Sequence, residues 1–194
     1  MYRIILASGS PRRKEILEQV GINFQVMPSK KEEQLISREP EVMVSELARM
    51  KARDIAEQLQ ENVIVIGADT IVANAGKILG KPKDELDAVD MIMNLQGHSH
   101  NVYTGVCIII KDGTGALQIE EFVECTKVHV SELTKEQAMD YILSGEPMDK
   151  AGAYAIQGRF AKYIRGIEGD YYNVVGFPIA RFCEEMEKLG FQIQ

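Results

Sequence analysis

Residues 8–13 read SGSPRR, a run of small residues followed by two arginines. The apolar stretch before it, residues 3–7, reads as a short buried strand, and a helical pattern follows. Ser10 is a suitable N-cap and Pro11 a suitable first helical residue. Unpaired backbone N–H groups at a helix start attract anions. Arg12 and Arg13 add fixed positive charge and forked donors that match phosphate oxygens. Ser8 and its neighbours are therefore candidates to cradle a phosphate. The same residues would also serve an ordinary capped helix with two solvated arginines.

Residues 63–70, VIVIGADT, form a second candidate. A continuous apolar run reads as a fully buried strand, here ending in Gly67, Ala68, Asp69 and Thr70. A carboxylate in such surroundings is costly unless it is paired, metal-bound or at a cleft edge. Asp69 is accordingly a candidate functional residue, the alternative being a turn aspartate that bonds its own backbone. Lys81, between Gly80 and Pro82, lies at a strand-to-helix junction where it can reach a phosphate or stay solvated. Glu32 and Glu33 follow Lys30 and Lys31. They read as a solvated loop, or as carboxylates that join Asp69 on a hard cation, since magnesium takes oxygen ligands and bridges to phosphates.

Residues 145–158, GEPMDKAGAYAIQG, are dense in Gly and Ala, which permit close approach of backbone to a ligand. Within them Tyr154 offers a stacking face, and Gln157 both donates and accepts toward a base edge. A structural turn with a packed tyrosine is the alternative. In 169–176, GDYYNVVG, the two tyrosines beside Asn173 read as half-buried strand residues rather than pocket lining. His98 and His100 would share a face on a strand, but zinc needs further ligands at recognisable spacing, so a polar strand end fits better. The sequence has no Walker loop, no dinucleotide-binding glycine fingerprint and no nucleophile elbow.

The elements that must position these residues alternate in type. Helices are predicted over 12–19, 41–60, 84–95, 135–143 and 178–189, the second with an apolar stripe of Val44, Leu47, Met50, Ile55 and Leu59. Thr134 and Gln137 form a capping-box pattern. Strands are predicted over 24–27, 63–66, 71–73, 77–79, 101–110, 118–130 and 160–164, with KDGTG at 111–115 closing a hairpin. The sum is an α/β chain with a mixed sheet. At 194 residues it has room for one core, or one core split into two lobes. The net charge of −7 argues against nucleic acid or an anionic membrane as a general partner. No apolar run approaches the length of a membrane span, and residues 3–7 are too short for a signal peptide. Cys107, Cys125 and Cys183 are odd in number and widely spaced, as expected of reduced thiols in a cytoplasmic protein.

Taken in order, SGSPRR (8–13), EEQ (32–34), KAR (51–53), VIGADT (65–70), GKP (80–82), EPMDKAGAYAIQG (146–158) and GDYYNVVGFP (169–178) resemble the Maf family of nucleotide pyrophosphatases along essentially the whole chain. The resemblance implies one domain over 1–194, with an elongated, two-lobed mixed α/β fold around a cleft. That fold is related to the inosine-triphosphate pyrophosphatases. It implies hydrolysis of a nucleoside triphosphate to monophosphate and pyrophosphate with magnesium or manganese. By the same resemblance Asp69 is the catalytic or metal-organising carboxylate and Glu33 its metal partner. Ser8, Arg13, Lys51 and Lys81 face the phosphates. Arg12, Thr70 and Gln157 match positions tied to base choice, with identities that fit the subgroup acting on dTTP and UTP. A homodimer and a link to arrest of septum formation are also implied. The chain departs from the family pattern at Gln96 and Phe177, neither of which is a proposed catalytic position.

Overall fold

The computed structural model describes residues 2–31 and 39–192. Its strands are β1 (Arg3–Leu6), β2 (Gln25–Val26), β3 (Val63–Asn74), β4 (Lys77–Leu79), β5 (Ser99–Lys111), β6 (Leu117–Val130) and β7 (Ile164–Glu168). They make a mixed sheet in the order β2-β1-β3-β5-β6-β7, with β4 paired to β3. The helices are α1 (Pro11–Gln19), α2 (Pro40–Gln58), α3 (Glu85–Leu95), α4 (Lys135–Ile142), α5 (Tyr171–Val175) and α6 (Ile179–Lys188). This is the expected α/β chain. No helix among the described residues is long and apolar enough to cross a membrane. The chain divides into two compact units: Met1–Asp69, Thr104–Glu124 and Gly176–Gln194 form one, Thr70–Tyr103 and Cys125–Val175 the other.

In the first unit β1 runs parallel to both β2 and β3, with Arg3 to Leu6 opposite Val63 to Ile66. Strands of a parallel sheet are covered on both faces, which is why both runs lack polar alternation. Helix α2 covers one face. Val63 and Val65 pack with Ala48, Ala52 and Ile55 in one apolar cluster. The stripe of large residues on α2 is only part of its buried face: Met43, Ala48, Ala52 and Ala56 are also buried, and Met50 is only half-buried. The small residues let the helix come close. At Gly67 of β3 an added Cβ would lie 2.8 Å from the Ala52 nitrogen, with the Ala48 carbonyl oxygen nearer still. Gly105 of β5 meets the backbone of Val44 in the same way. A two-pronged ion pair from Arg49 to Glu121 further ties α2 to β6.

In the second unit β3 and β4 form a hairpin, Val72 opposite Leu79 and Asn74 opposite Lys77. Its core joins Val72, Ile92 and Leu95 to Val128, Tyr154 and Phe160. The capping box at Thr134 is present: its hydroxyl accepts from the Gln137 N–H at 3.2 Å, and its own N–H donates to Gln137 Oε1 at 2.9 Å.

Three elements depart from expectation. β3 does not stop at Gly67 but runs unbroken through Asp69 and Thr70, so Asp69 is a strand residue and not a turn aspartate. Residues 160–164 are mostly a tight helical turn, Arg159–Tyr163, and the strand begins only at Ile164, where pairing with Val130 becomes available. The segment around Asn173 is the short helix α5. Asp170 Oδ1 accepts from the Tyr172 N–H at 2.7 Å, and the buried Asn173 amide donates to the Val102 carbonyl and Thr126 Oγ1. These are tertiary bonds that an alternation pattern does not encode. His98 lies outside β5 and is exposed, whereas His100 is 3% exposed, so the two do not form a pair on one face.

Burial and the nearby His129 push the His100 imidazole down to about 4. Below about pH 6.5, the ordinary imidazole value, the unfolded chain takes up a proton here that the folded chain does not. Stability therefore falls as pH drops from about 6.5 toward 4 and is untouched above that window. About 3 kcal/mol is at stake, so urea unfolding of His100→Gln should lose that much of the wild-type decline between pH 7 and pH 4. An equally steep decline in the variant would rule the site out as its source. In the first unit Gly67→Ala should cost about 3 kcal/mol or more, because backbone must move. Gly80→Ala, which meets nothing within 4 Å, should stay within about 0.5 kcal/mol in the same assay.

Candidate functional site

Parallel strands deliver their connecting loops at their carboxyl ends, which is where open α/β sheets bind ligands. In the first unit the Ala7 N–H still bonds the Ile66 carbonyl at 2.8 Å, and the chain then leaves the sheet as the 8–10 loop. Ser10 occupies the N-cap position with Pro11 behind it, as expected, but its side chain makes no cap bond. Instead Ser8 Oγ accepts from the Ser10 N–H at 3.3 Å.

Arg13 is not solvated. It is 8% exposed, and its guanidinium donates to Ser8 Oγ at 2.9 Å and to the Gly176 carbonyl at 2.9 Å. Its charge thus sits beneath the loop and holds it to the start of the 176–178 segment. Arg12, one residue earlier on α1, is half-buried. Sequence reasoning missed Gly176 as a partner of this loop. Nothing in residue type pointed to it, because a backbone carbonyl contributes through position and not through side-chain type.

Asp69 lies on β3 three residues past Ile66, the last β3 residue paired with β1. Alternate residues of a strand share a face. Val63, Val65, Gly67 and Asp69 therefore all look toward α2. Where Gly67 lets the helix settle, Lys51 reaches Asp69, and Nζ lies 2.5 Å from Oδ1. The two side chains are only 16% and 14% exposed. A charge-assisted bond in this half-buried setting fixes both groups more firmly than a surface ion pair would. The structure thus brings together Ser8 with Arg13, and Lys51 with Asp69, in the first unit, where β1 ends against β3.

Thr70, Lys81 and Gln157 belong to the second unit. Thr70 lies on β3 two residues before Val72, which pairs with Leu79, the last residue of β4; Lys81 follows two residues later, outside the strand. Thr70 shares its face with Val72, which packs against Gly152; a Cβ on that glycine would lie 3.0 Å from Val72 Cγ1. Gly152 has φ +68°, a left-handed conformation that glycine adopts without penalty. Its N–H donates to the Gly80 carbonyl at 3.0 Å, tying the Lys81 loop to the segment that leads to Gln157. Lys81 and Gln157 are exposed and Thr70 is half-buried. Hydrogen bonding from Lys150 holds the Asp149 carboxyl below its ordinary range, and the charge of Lys81 adds to the effect.

Glu33 lies outside the described residues. Among those described, no group of three or more His, Cys, Asp or Glu side chains gathers as a metal site. Asp69 supplies hard carboxylate oxygens, which suits magnesium, an ion commonly held by one or two carboxylates plus substrate phosphates. The buried Cys107 thiol is pushed up by burial and by the adjacent Glu121, which disfavours the reactive thiolate. A cavity of about 560 Å³ is lined by residues including Gln96, His98, Glu132 and Thr134, none of them a candidate site residue.

A model of the family described as Maf-like protein matches residues 3–189 of the chain. The dTTP/UTP pyrophosphatase of Lachnoclostridium phytofermentans is 58% identical over 193 residues, covering 100% of this chain and 98% of that protein. The dTTP/UTP pyrophosphatase of Agathobacter rectalis is 51% identical over 205 aligned positions, covering 100% of both. Among solved structures, the Ham1 protein of Staphylococcus aureus superposes with a TM-score of 0.46 at 12% identity, covering 96% of this chain and 99% of that one.

Proposed function

The chain belongs to the Maf-like protein family, and we propose that it hydrolyses nucleoside triphosphates, dTTP and UTP above all, to monophosphate and pyrophosphate. The observation that carries this is identity of 58% and 51%, end to end, with two proteins named for that activity. The Lys51–Asp69 pair, with Asp69 on β3 just past the last residue paired with β1, supports it independently.

In this reading water bonds to the α-phosphorus as the bond from that phosphorus to the bridging oxygen breaks, and pyrophosphate leaves. Chemistry of this kind needs positioning and charge neutralisation more than covalent help. Ser8 and the 8–10 loop offer a hydroxyl and backbone donors to the phosphates. Arg13 contributes its charge from beneath, where a low dielectric strengthens it. Lys51 and Lys81 supply two further positive charges. Asp69, with Glu33, would hold a magnesium or manganese ion. When bound, such an ion neutralises phosphate charge and makes a coordinated water more acidic. Lys51 meanwhile keeps the Asp69 carboxylate aimed.

Arg12, Thr70 and Gln157 select the base. Gln157 presents both an acceptor and donors, which can match the uracil or thymine edge. A nucleotide that fails to match leaves polar groups unpaired, which is heavily penalised. Removal of damaged or modified pyrimidine nucleotides is the house-cleaning role that such selectivity would serve.

The test is product identification from the purified chain with magnesium and a panel of nucleoside triphosphates. Monophosphate plus pyrophosphate from dTTP and UTP is expected. Diphosphate plus orthophosphate, or no product, would overturn the reading. Asp69→Asn should lose turnover by about 10³-fold or more while its thermal unfolding midpoint stays near wild type. Near-normal turnover in that variant would remove Asp69 from the mechanism.

A further inference from the structure

Gln157 lies in the turn 155–158, closed by the Gly158 N–H donating to the Ala155 carbonyl at 3.2 Å. The direction of an exposed side chain depends on the turn that carries it, so what fixes the turn matters. Two polar contacts flank it. On one side Tyr154, 5% exposed, shares a 2.7 Å hydrogen bond with His100 Nε2 and packs edge-on against that ring. On the other side the Glu146 carboxylate accepts from the Arg159 N–H at 2.9 Å and from the Tyr141 hydroxyl at 3.2 Å. The same carboxylate fills the space that a Cβ on residue 158 would take, so it seats the turn against the bare Cα of Gly158.

Neither contact is what apolar packing alone would choose. Tyr154 sits among Phe160, Tyr163 and Val72, where a phenylalanine would serve the core. His100 Nδ1 is buried with no hydrogen-bond partner among the described residues, a cost that a leucine at this position would avoid. Apolar contacts tolerate sliding and rotation, whereas hydrogen bonds from buried groups specify one arrangement.

The geometry points to His100 and Glu146 as positioning residues that fix the Gln157 turn and thereby set which base edge it meets. This rests on the reading of Gln157 as the residue that selects dTTP and UTP. Neither residue touches the reacting phosphate. Their effect should therefore fall on nucleotide discrimination and KM, and not on kcat for the best substrate.

The experiment measures kcat and KM for dTTP and dCTP in wild type, Tyr154→Phe, His100→Leu, His100→Gln, Glu146→Ala, Glu146→Gln and Gln157→Glu. Tyr154→Phe removes one oxygen and keeps the ring, so it remains informative even where a harsher variant does not fold. Tyr154→Phe, His100→Leu and Glu146→Ala should each lower the dTTP-over-dCTP ratio of kcat/KM by about tenfold. Their kcat for dTTP should stay within about threefold of wild type. His100→Gln, with an amide that reaches toward the Tyr154 hydroxyl, and Glu146→Gln, which keeps an acceptor, should restore most of the ratio. An unchanged ratio in Tyr154→Phe and Glu146→Ala, with Gln157→Glu shifting it, overturns this inference and leaves the base-reading role of Gln157 intact. An unchanged ratio in Gln157→Glu overturns that role, and this inference with it.

Discussion

The close approach of α2 to β3 at Gly67 is the constraint on which the first unit depends. A helix normally rests on a sheet through side chains, at a distance set by their size. Here the strand offers a bare Cα and the helix offers Ala48 and Ala52, so backbone lies against backbone. One position further along the same face of β3 comes Asp69, and along the helix from Ala48 comes Lys51. Their 2.5 Å contact is possible because the glycine has brought the helix close. A side chain at residue 67 would lift the helix and separate the pair. The VIGADT pattern thus encodes a packing distance as well as a carboxylate.

The second recurring device is the buried polar tie. Arg13 holds the 8–10 loop by bonding Ser8 and the Gly176 carbonyl. Asn173 joins α5 to β5 and β6 through Val102 and Thr126. Glu146 and the His100–Tyr154 pair brace the turn of Gln157. Each places a directional bond where an apolar contact would have filled the space. Such groups stabilise less than hydrophobic residues of the same volume, but they leave fewer alternative arrangements. A protein that must discriminate among nucleotides differing by one donor or acceptor has use for fixed geometry of this kind.

Arg12 and Arg13 illustrate how far identical neighbours can differ. Both are arginines on the first turn of α1, yet Arg12 is half-buried and Arg13 is 8% exposed. Successive helical residues point about 100° apart, so one turn of helix sends them to different surroundings. Arg13 therefore acts on the 8–10 loop that it organises, through its bonds to Ser8 and to the Gly176 carbonyl. A reading from residue type alone treats both as forks aimed at a ligand.

The sequence by itself determined the α/β class, five of the six described α-helices within a few residues, and the capping box at Thr134. These depend on local periodicity and local hydrogen bonds, which a linear string records. It also singled out Asp69, since a carboxylate beside a run of buried valines and isoleucines demands a partner wherever it lies. Only the tertiary structure decided what that partner is, that β3 continues through Asp69, that the tyrosines near Asn173 lie on a helix, and that Arg13 is buried. For three of these the deciding contact joins residues far apart in the chain: Lys51 to Asp69, Asn173 to Thr126, Arg13 to Gly176. Local preference is worth tenths of a kcal/mol per residue, and a buried hydrogen bond or ion pair made across the fold outweighs it.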